Sequence, residues 1–339
     1  MKKLGIGLVA AALLFGLCAC GTGAANQGET EPLMRESFML DTIIKITLYD
    51  WEDENTLTLA MDEIHRLENL LSATRQGSDI DRLNQAAGQD WVEISPECQE
   101  VLLLAKGYWQ LSEGHFDVTT GPLISLWNIR DDGGHYPSQE ELALVQPLIS
   151  SENLLVEDGR AFLTQEGMAV ELGAIAKGYI ADCVAEFLEQ QGVENAIVDL
   201  GRNLVTMGSK PDGSPYRIGV HDPFGGEEDY LAILEISGES VVTAGDYERF
   251  FVHEGVRYHH ILDPFTGFPA DAGLSAVTIV TLCSADADAL ATACMLLGEE
   301  KGLALAEGLE GVEAIFARTD GTCAETTGFS DYVATAYYT

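Results

Sequence analysis

Basic residues are scarce in this 339-residue chain: 18 Lys and Arg stand against 55 Asp and Glu, a formal net charge of −37. Such a field repels a phosphate backbone and argues against a nucleic-acid partner. Cysteine is thin as well. Beyond Cys20 only Cys98, Cys183, Cys283, Cys294 and Cys323 remain, an odd and scattered set with no CxxC among them. They show neither a disulfide framework nor a CxxC metal motif. Neither GxGxxG nor GxxxxGK[ST] occurs, so neither nucleotide fingerprint applies. No internal repeat is evident. What is present is an ordinary globular mixture, 46% hydrophobic and 22% charged, enough for one large domain or two smaller ones.

The N-terminus reads as a targeting segment. Lys2 and Lys3 precede an apolar stretch, Leu4 to Leu17, too short for a comfortable membrane span. It ends Leu17-Cys18-Ala19-Cys20, which resembles a bacterial lipobox with Cys20 as the lipidated residue. A plain secretory signal cleaved near Ala19 or Ala24 is the alternative. The expected organisation is a signal peptide over 1–19, a flexible tether over 20–35 (rich in Gly, Thr and Glu) and one folded domain over 36–339. Lipidation of Cys20 would hold the protein outside the cytoplasm, anchored to the cell membrane.

Along the domain, Phe38 to Tyr49 reads as one strand, and Asn55 to Leu71 and Pro96 to Leu111 as amphipathic helices. Ser78 to Asp81 opens a short helix. Ser112 to Leu123 is loop-like, with Phe116 and Asp117 either loop anchors or ligand contacts. Leu154 to Val156 and Ala161 to Thr164 pair across Asp158-Gly159. A helix follows Lys177, with Ile180, Cys183, Val184, Phe187 and Leu188 on its apolar face, and Ala196 to Leu200 is a buried strand. Lys177, near that helix start, is either a site cation or a surface one. Further strands fall at 215–220, 230–236, 241–244, 250–252, 314–317 and 333–338, with Gly245 to Arg249 as a turn. Helices interleaved with antiparallel hairpins make an α+β fold of mixed or antiparallel sheets with packed helices.

The densest stretch runs from Arg257 to Gly298. A His pair, His259-His260, leads into consecutive turns over Asp263 to Pro269, then a β-branched strand, Ala276 to Leu282. Ser284 is the expected N-cap of a helix from Ala285 to Leu297. Asp288 and Thr292 are four apart and share a helix face, whereas Asp286 points elsewhere. An acidic first turn explains the aspartates but not Thr292. The alternative is a hard-cation site built from the Asp288 carboxylate and the Thr292 hydroxyl.

Four segments, GHFDVTTGPL, ELGAIAKGYIAD followed by VDLG, YHHILDPFTGFP and ADALATACMLLG, occur in an order that resembles the ApbE family of FAD:protein FMN transferases. The likeness runs from about Glu36 to the end. It implies a T-fold-like α+β domain and Mg²⁺-dependent cleavage of FAD. FMN would pass to a Thr or Ser hydroxyl of a partner protein, and AMP would be released. Carried onto this chain, Asp288 and Thr292 match Mg²⁺ ligands, and Ala174 completes that site through its carbonyl. Leu40, His115, Phe116, Asp117, Glu171, Lys177 and Leu262 match FAD contacts, and His260 the general base. The implied partner is an exported acceptor carrying a flavinylation motif, such as a membrane respiratory subunit. Departures are Thr74 where many members carry an aromatic residue, Leu40-Asp41-Thr42 for Met-Gly-Thr, Arg202 for the second Gly of Asp-Leu-Gly-Gly, and Glu171 for Asp. Two other outcomes share the same residues: a FAD pyrophosphatase, with water as acceptor, and a flavin-binding lipoprotein without chemistry.

Overall fold

The computed structural model describes residues 31–129, 133–226 and 228–338. The expected signal peptide and Cys20 lie outside the described residues. In chain order the strands are β1 (Leu33–Met39), β2 (Thr42–Leu48), β3 (Val92–Glu93), β4 (Leu154–Glu157), β5 (Arg160–Leu163), β6 (Ala196–Asp199), β7 (Asn203–Met207) and β8 (Tyr216–His221). Then come β9 (Tyr230–Ile236), β10 (Ser240–Gly245), β11 (Phe250–His253), β12 (Val256–His259), β13 (Leu274–Thr281), β14 (Glu313–Arg318), β15 (Cys323–Glu325) and β16 (Val333–Ala336). The helices are α1 (Glu54–Leu71), α2 (Asp79–Gln85), α3 (Pro96–Leu111), α4 (Gly121–Trp127), α5 (Gln139–Val145), α6 (Ala176–Gln190), α7 (Ser284–Leu297) and α8 (Glu299–Glu307).

One antiparallel sheet dominates, with strand order β1-β2-β6-β7-β10-β13-β14-β15. Its β13 is buried at every position, because both faces are covered. Val277 and Ile279 face the core formed with α7, and Ala276 and Val280 face the core formed with β8, β9 and β16. That double burial explains a run of apolar and β-branched residues without polar alternation. At the other end of the sheet, Ile44, Ile46 and Leu48 pack with Leu57, Ile64 and Leu67 of α1 and with α6. The fold is α+β.

Four local expectations change. Phe38 to Tyr49 is a hairpin rather than one strand. Leu40 and Asp41 take φ of +54° and +56° and turn β1 back onto β2. Residues 33–35, assigned to the tether, belong to β1, where pairing with β2 satisfies their backbone. The last residues of the 112–123 loop enter α4. Helix α7 starts at Ser284, with Cys283 as its N-cap residue. The capping side chain comes from α6: Asp182 accepts the Ser284 and Ala285 N–H groups at 2.8 Å each. A carboxylate there satisfies orphan amides and complements the helix dipole. Strands β3, β7 and β15 and helices α4 and α8 were not anticipated.

Candidate active site

The α6–α7 crossing builds the centre of the site. A Cβ on Gly178 would lie 2.2 Å from the Ser284 carbonyl oxygen, so only glycine lets α6 approach the start of α7. That approach brings the Gly178 N–H to Asp288 Oδ2 at 3.0 Å. Asp288 and Thr292 line a cavity of about 670 Å³, within the usual range for small-molecule sites. Burial raises the Asp288 pKa, and Lys177 and the Gly178 amide counter it. Asp286 turns away toward the Tyr108 hydroxyl.

The cavity brings together all the residues singled out from sequence except Cys20: Leu40, His115, Phe116, Asp117, Glu171, Ala174, Lys177, His260 and Leu262 line it with the α7 pair. They arrive from widely separated elements: the β1–β2 turn, the loop after α3, the start of α6 and the segment after β12. Asp117 has a structural task there. Its carboxylate accepts the Thr119 N–H and hydroxyl (2.8 and 2.6 Å) and the Ser151 N–H and hydroxyl (3.0 and 2.7 Å). Glu171 accepts the Gly173 N–H at 2.8 Å, and burial raises its pKa. The Nδ1 of His115 is enclosed without a hydrogen-bond partner in the protein.

The two histidines differ sharply. His259 is buried; its Nε2 donates to the Ala270 carbonyl at 2.9 Å and its Nδ1 accepts the Ile261 N–H at 3.3 Å. Both nitrogens are spent on structure. His260 Nδ1 lies 3.2 Å from the Arg249 carbonyl, an acceptor only, so this nitrogen carries the proton. The tautomer that follows leaves Nε2 with its lone pair. Burial, with His259, Arg249 and Lys177 nearby, pushes the His260 pKa down to about 4.

Five charged cavity residues were not among the expected site residues: Asp41, Glu68, Arg202, Glu248 and Arg249. Glu248 lies within electrostatic reach of Lys177, Arg202, Arg249 and Asp288, and burial raises its pKa. Its signal was faint, a charged pair at the end of a turn. Thr74 also lines the cavity, bonded within its own loop to Ser72 Oγ at 3.1 Å.

No three His, Cys, Asp or Glu side chains are grouped to hold a metal among the described residues. Asp288 and Thr292 offer one carboxylate and one hydroxyl, hard oxygen donors of the kind a hard cation takes.

An antiparallel α+β frame around one cavity lined by charged, polar and apolar side chains defines the class. The ApbE family model matches residues 40–316, and the chain belongs to that family. It is 36% identical over 280 residues to a FAD:protein FMN transferase of Klebsiella pneumoniae, covering 82% of this chain and 86% of that protein. It is 33% identical over 334 residues to one of Treponema pallidum, covering 93% and 92%. The solved ApbE protein of Thermotoga maritima superposes with TM-score 0.82 at 30% identity, over 89% of this chain and 99% of the other. The flavin transferase ApbE of Vibrio cholerae does so with TM-score 0.80 at 30% identity, with the same coverage.

Proposed function

We propose that this protein is a Mg²⁺-dependent FAD:protein FMN transferase. Support comes from relatives bearing that name over most of the chain, and from one cavity that gathers Asp288, Thr292, Lys177 and His260. An acceptor Thr or Ser hydroxyl attacks the FMN phosphorus of FAD. A new O–P bond forms, the pyrophosphate P–O–P bond breaks, and AMP leaves. His260 Nε2 takes the hydroxyl proton, a task suited to an imidazole whose tautomer is already set by Arg249. Lys177 offsets charge on the pyrophosphate oxygens. Asp288 Oδ, Thr292 Oγ1 and the Ala174 carbonyl would hold Mg²⁺, whose role is to neutralise the same oxygens. Leu40, Phe116 and Leu262 offer apolar surface to the flavin ring system.

The N-terminal segment supports export and a lipid on Cys20, and an acceptor at the membrane surface is the matching partner. No helix among the described residues is long and apolar enough to cross a membrane. The test mixes the protein with FAD, Mg²⁺ and an acceptor domain, and reads covalent flavin fluorescence and AMP together. AMP with free FMN and no labelled acceptor would make the protein a pyrophosphatase instead. Asp288→Ala is expected to lower turnover at least about 100-fold, as loss of a catalytic metal position does. Unchanged activity and Mg²⁺ affinity in that variant would remove the metal assignment.

A further inference from the structure

Among the described residues, four hairpins turn through two residues that both have positive φ: Leu40-Asp41, Asp158-Gly159, Gly201-Arg202 and Glu254-Gly255. Such type I′ turns favour Gly at the second position, because side chains strain there. Asp158-Gly159 and Glu254-Gly255 obey this, and neither borders the cavity. The two turns that line the cavity break it. In Gly201-Arg202 the glycine is forced into the first place, since a Cβ there would lie 2.3 Å from Thr42 Oγ1 of the neighbouring hairpin. The second place then holds an arginine at φ +72°. A non-glycine residue in the left-handed region is strained, and such strain concentrates at functional sites.

The Arg202 guanidinium is aimed by its neighbours. Its Nη1 donates to the Tyr247 hydroxyl at 2.9 Å, and its carbon stands 5.0 Å above the Tyr247 ring. Its Nε lies 3.7 Å from Glu248 Oε1, beyond hydrogen-bond reach, and that buried oxygen has no hydrogen-bond donor. Glu248 in turn lies within electrostatic reach of Lys177 and Asp288. Arg202 lines the same cavity as Lys177 and Asp288, with 41% of its side chain accessible. A cavity wall that also carries Glu68, Glu171, Glu248 and Asp288 has a surplus of carboxylates to offset before a dianionic ligand enters.

We infer that Arg202 is a phosphate-binding residue, the guanidinium that receives the pyrophosphate of the flavin nucleotide in this chain. This rests on the flavin reading above and adds a contact to it. A planar fork of N–H donors matches phosphate oxygens in a way that Lys177 alone does not. Binding would draw the fork off the neutral Tyr247 hydroxyl and the distant Glu248 carboxylate onto a stronger charge-assisted partner.

The test is direct titration of three flavins without added Mg²⁺: riboflavin, FMN and FAD, which share the ring and differ in phosphate. Arg202→Gly is the main variant, because glycine fits the turn without strain and keeps the fold. Its Kd for FMN and FAD is expected to rise about tenfold, with riboflavin unchanged. Arg202→Lys is expected to recover part of the loss. Equal weakening of all three flavins, or of none, would overturn the inference and leave Arg202 a structural residue. Unchanged flavin affinities with a raised KM for the acceptor protein would overturn it too, and assign the guanidinium to an acidic side chain of the acceptor. A wild-type protein that bound none of the three would sink the flavin reading as well.

Discussion

His260 shows what a single residue's surroundings do to its chemistry. Its pKa near 4 keeps the ring neutral well below the ordinary histidine range. A base of this kind remains competent as pH falls, so the acid limb of kcat/KM is expected below pH 6.5. A limb at or above 6.5 would show that His260 is not the titrating base. The sign for stability runs the same way. The folded state disfavours the proton, so this contribution is present above the unfolded pKa and is lost as pH falls from about 6.5 toward 4. His260→Ala is expected to lower transfer about 10²- to 10⁴-fold while FAD binding persists, measured by single-turnover labelling and flavin titration. The His-His pattern was legible in sequence, and the family resemblance singled out His260 as the base. The physical reason was not legible, because it depends on the Ala270 and Arg249 carbonyls brought up by the chain's return.

At the scale of elements, the α6–α7 crossing decides whether the site exists. Gly178 sets the approach, Asp182 caps α7 across the gap, and Asp288 receives an amide from α6 in return. Gly178→Ala places a methyl against backbone and is expected to destabilise by about 1–3 kcal/mol, read as a lower midpoint in chemical denaturation. It should also weaken Mg²⁺ binding by displacing Asp288, read by isothermal titration. A variant as stable as wild type with full Mg²⁺ affinity would mean that the helices have slack the geometry does not show. The helices themselves were plain from their apolar periods. The hairpin at Leu40-Asp41 was not, because its turn lacks the usual Asn-Gly or Asp-Gly mark and is held instead by the seven-residue register of β1 on β2.

Over the whole molecule, a net charge of −37 opposes an anionic substrate at long range. The cavity answers locally with Lys177, Arg202 and Arg249. Salt screens the distant field far more than contacts inside the cavity, since the Debye length falls from about 30 Å at 0.01 M to about 10 Å at 0.1 M. The association rate of FAD is therefore expected to rise several-fold over that range, measured by stopped-flow flavin fluorescence. A rate that falls with salt would show that the cavity cations, not the net charge, steer the ligand.

Composition and spacing by themselves determined the acidic character, the α+β class, most helices and strands, and the pairing of Asp288 with Thr292, since these follow from neighbours in the chain. The cavity depended on strand order. β6, β7 and β10 lie side by side although β8 and β9 intervene in sequence before β10, and this carries Arg202 and the Tyr247–Arg249 turn to the mouth of α6. A charge in a turn looks the same in sequence wherever the turn ends up. Only the tertiary structure brings Glu248 and Lys177 to one cavity, because that shared lining is a property of the sheet and not of any local segment.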